Sequence, residues 1–157
     1  MKAENTKARA FKRSAARLMS IQALYQIGES TSEFQPVIEE FITFRIGENV
    51  DGLEYSAIDT KHFRAVVSGV CNRKEELDKY ICDALADGWE LSRIGILLLS
   101  ILRAGSFELV ERTDVPAKVA IDEYVELAHD FFTEKDVAFV NAALDHIAKS
   151  VRARELD

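Results

Sequence analysis

An all-α fold is predicted by three features of this 157-residue chain. It holds only two prolines, it has no sustained alternation of apolar and polar residues, and its apolar positions recur at spacings of three and four. The length suits one domain with a sizeable core, and 48% hydrophobic with 30% charged residues is a globular rather than a disordered composition. The pattern resolves into about seven helices packed in one compact body.

The first helix is expected from about Ala8 to Ile27, closed by Gly28 and the polar stretch "ESTSE". A second carries Phe34, Val37, Ile38, Phe41 and Ile42 at helical spacing and gives way to a loop, "GENVDGLEYS". Phe63, Val66, Val67, Val70 and Cys71 mark a third, and Leu77, Tyr80, Ile81 and Leu85 a fourth that ends near Gly88. Leu91 to about Arg112 is apolar nearly all round, as befits a central helix that others wrap. "RTDVPAK" resets the chain, with Thr113 or Asp114 as cap and Pro116 in the first turn of the next helix. "TEKD" from Thr133 reads as a capping box with Asp136, and Val137, Val140, Leu144, Ile147 and Val151 form an amphipathic last helix.

Charge is distributed unevenly. Residues 1–17 carry Lys2, Lys7, Arg9, Lys12, Arg13 and Arg17 against one acid, Glu4, a local charge of +5; the chain's net −7 therefore leaves −12 on the remainder. Such asymmetry points to a localised basic site. With about 100° per residue and Phe11 as origin, Leu18 and Tyr25 fall within about 40° of it, while Arg9, Arg13 and Arg17 lie at about 160° to 240°. This predicts an arginine ridge facing outward and Phe11, Leu18 and Tyr25 facing the body. No acid stands three or four residues from any of the three arginines, and cations near a helix N-terminus oppose its dipole. A solvated face explains most charge runs, but an uncompensated ridge is better explained by a polyanion. Arginine suits that partner because its planar fork hydrogen-bonds phosphate oxygens and stacks on bases.

Other function classes are poorly served. Cys71 and Cys82 match no metal-binding spacing and no disulfide framework, which fits a reducing cytoplasm. "IGILLLSIL" is about half the length of a membrane span, and no apolar signal-peptide core follows Met1. A cleaved transit peptide is disfavoured because the same segment supplies core-type residues and runs on to the next helix after a short loop. "ELAH" at Glu126–His129 has the spacing of di-iron bundles, but surface polar residues explain it better. There is no phosphate loop, nucleophile elbow or cysteine–histidine pairing, so neither catalysis nor a cofactor is expected. Trp89 reads as a plug at a helix junction.

Four segments, taken together, resemble the NusB family of bacterial transcription antitermination factors: "RSAARLMSIQALYQ" at 13–26, "ILRAGSFEL" at 101–109, "TDVPAKVAIDEYVELAH" at 113–129 and "FVNAALDHIA" at 139–148. The resemblance implies an all-α body of two helical subdomains, read here as a single NusB-like RNA-binding domain over 1–157. Within it, 1–7 would be a flexible basic lead-in and 152–157 a frayed tail. It implies a non-catalytic, cytoplasmic factor that pairs with the ribosomal protein NusE and binds boxA RNA. The pair acts on elongating RNA polymerase with other Nus factors to sustain transcription of ribosomal RNA operons.

By position, Arg13 and Arg17 match the family's RNA-binding motif, Arg9 and Lys12 lie in its basic lead-in, and Lys135 sits in the turn that approaches RNA. Tyr25 and Glu108 fall toward the NusE side. No membrane association is implied, and the family includes both monomers and homodimers. Departures are the apolar "IGILLLS" at the start of the central helix, Ala142 in "FVNA", and Phe131–Phe132 where the family carries Phe-Gly. Two other readings stay open: a helical protein–protein adaptor using Leu97–Leu99, and an RNA-binding module like that of ribosomal RNA methyltransferases.

Overall fold

A computed structural model describes residues 2–46, 58–86 and 89–156. Every regular element among them is helical: α1 (Lys2–Ser30), α2 (Phe34–Phe41), α3 (Thr60–Asn72), α4 (Lys74–Ala84), α5 (Ile96–Glu111), α6 (Ala117–Phe131), α7 (Glu134–Val151) and α8 (Ala153–Leu156). A π-helical turn, Ile42–Ile46, continues α2, and a 3-10 turn spans Leu91–Arg93. The predicted loop at 47–56 and the helix end at Gly88 lie outside the described residues. The chain divides into two compact units, Met1–Ser68 and Gly69–Asp157, in keeping with two helical subdomains.

In the first unit, α1 starts at Lys2 rather than near Ala8, so the expected lead-in is helical. Its first turns hold Ala3, Glu4 and Lys7, good helix formers without a breaker. Gly28 does not end it. The helix runs on to Ser30, whose hydroxyl donates to the Gln26 carbonyl at 2.6 Å, and the chain turns at Thr31 with φ 51°. The core of this unit gathers Ile21 and Leu24 from α1, Val37, Ile38 and Phe41 from α2, and Phe63, Val66 and Val67 from α3. The rings of Phe41 and Phe63 stack with centroids 6.0 Å apart.

In the second unit α5 packs against α4, α6 and α7. Leu99 to Leu102 and Ala104 to Leu109 are all buried, as its all-round apolarity predicts. The expected single helix from Leu91 is interrupted, because Ile94 and Gly95 are extended and Gly95 becomes the N-cap of α5. Two glycines allow close packing: a Cβ on Gly69 would lie 2.1 Å from the Phe107 ring, and one on Gly105 2.9 Å from Leu144. Arg103 of α5 grips Asp78 of α4 with two bonds of 2.7 and 2.9 Å. Thr133 is the N-cap of α7 as predicted, yet it makes no side-chain bond to the backbone; its hydroxyl donates to Asp136 at 3.4 Å. Phe132, in the place of a family glycine, has φ −133°, a conformation that needs no glycine.

The C-terminal segment is not a frayed tail. Arg152 is buried, and its guanidinium donates to the carbonyls of Leu109 (2.7 Å), Arg112 (2.9 Å), Val115 (3.0 Å) and Glu108 (3.2 Å). It therefore adds donors at the C-terminal end of α5, where the Glu108 carbonyl also accepts the Arg112 N–H at 3.0 Å. Arg152 also donates to Glu155 at 2.6 Å, and the other Glu155 oxygen accepts the Ala117 N–H at the start of α6. That backbone bond, with the Arg152 bond next, holds the Glu155 carboxyl below its ordinary value. A carboxyl depressed on folding stabilises above its unfolded pKa and loses that contribution as pH falls through its folded pKa. Acid titration of the thermal midpoint should therefore show a smaller loss below about pH 4.5 in Glu155→Gln than in the parent. Equal acid losses in the two proteins would show that Glu155 does not link pH to stability.

Candidate nucleic-acid interface

The face that α1 buries is opposite to the one predicted. Ala16, Ser20, Ile21, Ala23 and Leu24 are buried, and Arg17 lies with them at 2% exposure. Phe11 is 67% exposed and Tyr25 43%. The outward ridge of Arg9, Arg13 and Arg17 is thus corrected: only Arg9 is fully exposed, Lys12 and Arg13 are half-buried, and Arg17 is inside. The predicted orientation took the bulky Phe11, Leu18 and Tyr25 as the core stripe. The actual stripe sets the small Ala16, Ser20 and Ala23 among Arg17, Ile21 and Leu24, and the Ser20 hydroxyl folds back onto the Ala16 carbonyl at 2.8 Å. The spacing Ala16, Ser20, Ala23 was a legible signal for it.

Arg13 has an acid that local spacing could not reveal. Its Nε lies 3.6 Å from an Asp59 oxygen, and both side chains are about one-third exposed. The other Asp59 oxygen accepts the His62 N–H at 3.0 Å, capping α3, and the Asp59 N–H donates to the Lys12 carbonyl at 3.0 Å. Burial pushes the Asp59 carboxyl up, but the His62 N–H and the Arg13 charge outweigh it, and it titrates below its ordinary value. Asp59 thus ties the basic turn of α1 to the start of α3.

In the second unit Lys135 is exposed in the first turn of α7, at the mouth of a cleft of about 290 Å³. Ile94, Leu97, Leu98 and Phe132 line it, with Arg93 and Asp136 also at its walls. Trp89 does not plug a junction. It is 50% exposed, stacks on Phe139 with centroids 5.4 Å apart, and lines the cleft. Such a ring is a surface on which a base can stack. Of the "IGILLLS" leucines, Leu99 belongs to the core, while Leu97 and Leu98 are half-buried at the cleft.

Of the two residues expected on the partner side, Tyr25 is accessible and Glu108 is not. Glu108 is fully buried and accepts a hydrogen bond from the Tyr124 hydroxyl, so its carboxylate serves the core of α5 and α6 and has no surface to offer a partner. Among the described residues no cluster of three or more His, Cys, Asp or Glu could hold a metal, and no helix is long and apolar enough to cross a membrane.

A model of the NusB family matches residues 14–149. Two proteins named transcription antitermination protein NusB are close relatives. That of Allorhizobium ampelinum is 46% identical over 140 residues, spanning 89% of this chain and 88% of its own. That of Nitrobacter hamburgensis is 44% identical over 152 residues, 97% of this chain and 95% of its own. Among solved structures, NusB of T. maritima superposes with a TM-score of 0.75 at 27% identity, covering 92% of this chain and 96% of that one. A complex of antitermination factors NusB and NusE with double-stranded RNA contains a chain of the same fold, with TM-score 0.71 and 22% identity over 87% of this chain and 96% of that one.

Proposed function

This chain belongs to the NusB family, and on that premise we propose that it is a transcription antitermination factor which binds boxA RNA together with NusE. In this reading it is non-catalytic and cytoplasmic, and it supports transcription of ribosomal RNA operons by RNA polymerase carrying other Nus factors. The observation that carries the reading is the basic start of α1, where Arg9, Lys12 and Arg13 keep solvent-accessible surface in an otherwise acidic chain. Affinity would come mainly from phosphate neutralisation, and sequence choice from bases read in a single-stranded segment. Lys135 and Trp89, which line one cleft of the second unit, would add a cation and a stacking ring. Arg17, being buried, supports α1 from within rather than meeting phosphate. Tyr25 is the residue proposed to meet NusE.

A titration with boxA RNA and a scrambled control, with and without NusE, tests the reading. Absence of RNA binding in both conditions would sink it and favour the adaptor read from Leu97–Leu99, of which Leu97 and Leu98 keep surface at the cleft. Arg13→Ala should weaken RNA binding several-fold and lower the log–log salt slope by about 0.7, the value of one single-strand phosphate contact. An unchanged slope and affinity would remove Arg13 from the interface.

A further inference from the structure

We propose that Asp59 sets the RNA affinity of this protein by acting as a built-in counter-ion to Arg13, an inference that rests on the RNA-binding role proposed for Arg13. The argument is geometric. Three contacts hold the Asp59 carboxylate in place: its backbone N–H on the Lys12 carbonyl, one oxygen on the His62 N–H, and the other oxygen 3.6 Å from Arg13 Nε. A phosphate approaching Arg13 must share the guanidinium with that carboxylate and bear its repulsion. The pair is open to solvent, with side chains 33% and 28% exposed, so RNA can reach it without unfolding any element.

The two functions of Asp59 separate chemically. Asparagine caps a helix as well as aspartate does, so Asp59→Asn keeps the bond to His62 and removes only the charge. An exposed ion pair of this kind is worth a modest factor. Asp59→Asn should therefore tighten binding of a boxA-type single-stranded RNA oligonucleotide about two- to fivefold at moderate salt, and less at high salt. The thermal midpoint, measured alongside, checks that the fold is retained.

The decisive comparison repeats the substitution in Arg13→Ala. If Asp59 acts through Arg13, the gain vanishes there. A gain that persists without Arg13 assigns it to net charge and overturns the proposal, as does unchanged or weaker binding by Asp59→Asn in the parent. If Arg13→Ala alone leaves RNA binding untouched, the RNA role of Arg13 falls and this inference falls with it. If Arg13→Ala weakens binding while Asp59→Asn does not tighten it, only the inference about Asp59 fails.

Discussion

Arg152→Ala should lower the thermal midpoint by roughly 6–20 °C. The guanidinium donates to four backbone carbonyls, on Glu108, Leu109, Arg112 and Val115, and to the Glu155 carboxylate. Its removal takes a charged donor from each of these carbonyls, although Glu108 keeps the Arg112 N–H and Arg112 the Val115 N–H, and it leaves Glu155 without its cation. Breaking a buried charge-assisted set of this kind costs about 3–5 kcal/mol, and each kcal/mol moves the midpoint of a chain of this size by about 2–4 °C. Arg152→Lys should recover less than half of the loss, because an ammonium is compact and cannot spread its donors across four carbonyls as a planar fork does. Differential scanning calorimetry on the three proteins measures this. A midpoint for Arg152→Ala within 2 °C of the parent would mean that the clamp contributes little.

Gly69→Ala is the second large effect. Alanine normally favours a helix interior over glycine by about 1 kcal/mol, so a gain would be the naive expectation at this site within α3. The structure predicts a loss, because the new Cβ would sit 2.1 Å from Cε2 of Phe107, whose ring is itself buried. Overpacking of this severity belongs at or above the top of the usual 1–3 kcal/mol range, so a net fall of roughly 4–10 °C is expected. The cause can be isolated by a double-mutant cycle. Phe107→Leu removes Cε2 and Cζ, the two nearest clashing atoms, so Gly69→Ala should cost less in that background. Gly95→Ala serves as the control: nothing lies within 4 Å of its added Cβ, its φ is −62°, and it should be close to neutral. Strict additivity of Gly69→Ala and Phe107→Leu would rule out the close approach as the cause.

These two positions also illustrate what could and could not be read ahead of the structure. Helix content and order were legible because most helices carry an apolar period and the central one is apolar throughout; α7, with Val137, Val140, Leu144 and Ile147 buried, follows its pattern closely. Breaks were less legible. Gly28 looked like a terminator and is not, whereas Gly95 looked like a residue within a helix and begins one. A glycine signals permission for a turn, and the neighbouring packing determines whether it is used. The basic site was legible as a charge excess, since the +5 of residues 1–17 needs only counting. Its orientation was not. Phe11 and Tyr25 are the larger apolar residues, yet α1 buries Ala16, Ser20 and Ala23 together with Ile21 and Leu24.

The sequence by itself determined that this is an all-helical chain of the NusB pattern, with its cations concentrated at one end, because periodicity, composition and motif order are local or additive properties. Only the tertiary structure decided which of those cations face solvent. Burial of Arg17 and Glu108, the pairing of Arg13 with Asp59, and the clamp of Arg152 on α5 all join residues far apart in the chain. Each depends on where helices pack, and an ion's worth depends on the burial and partners that packing supplies.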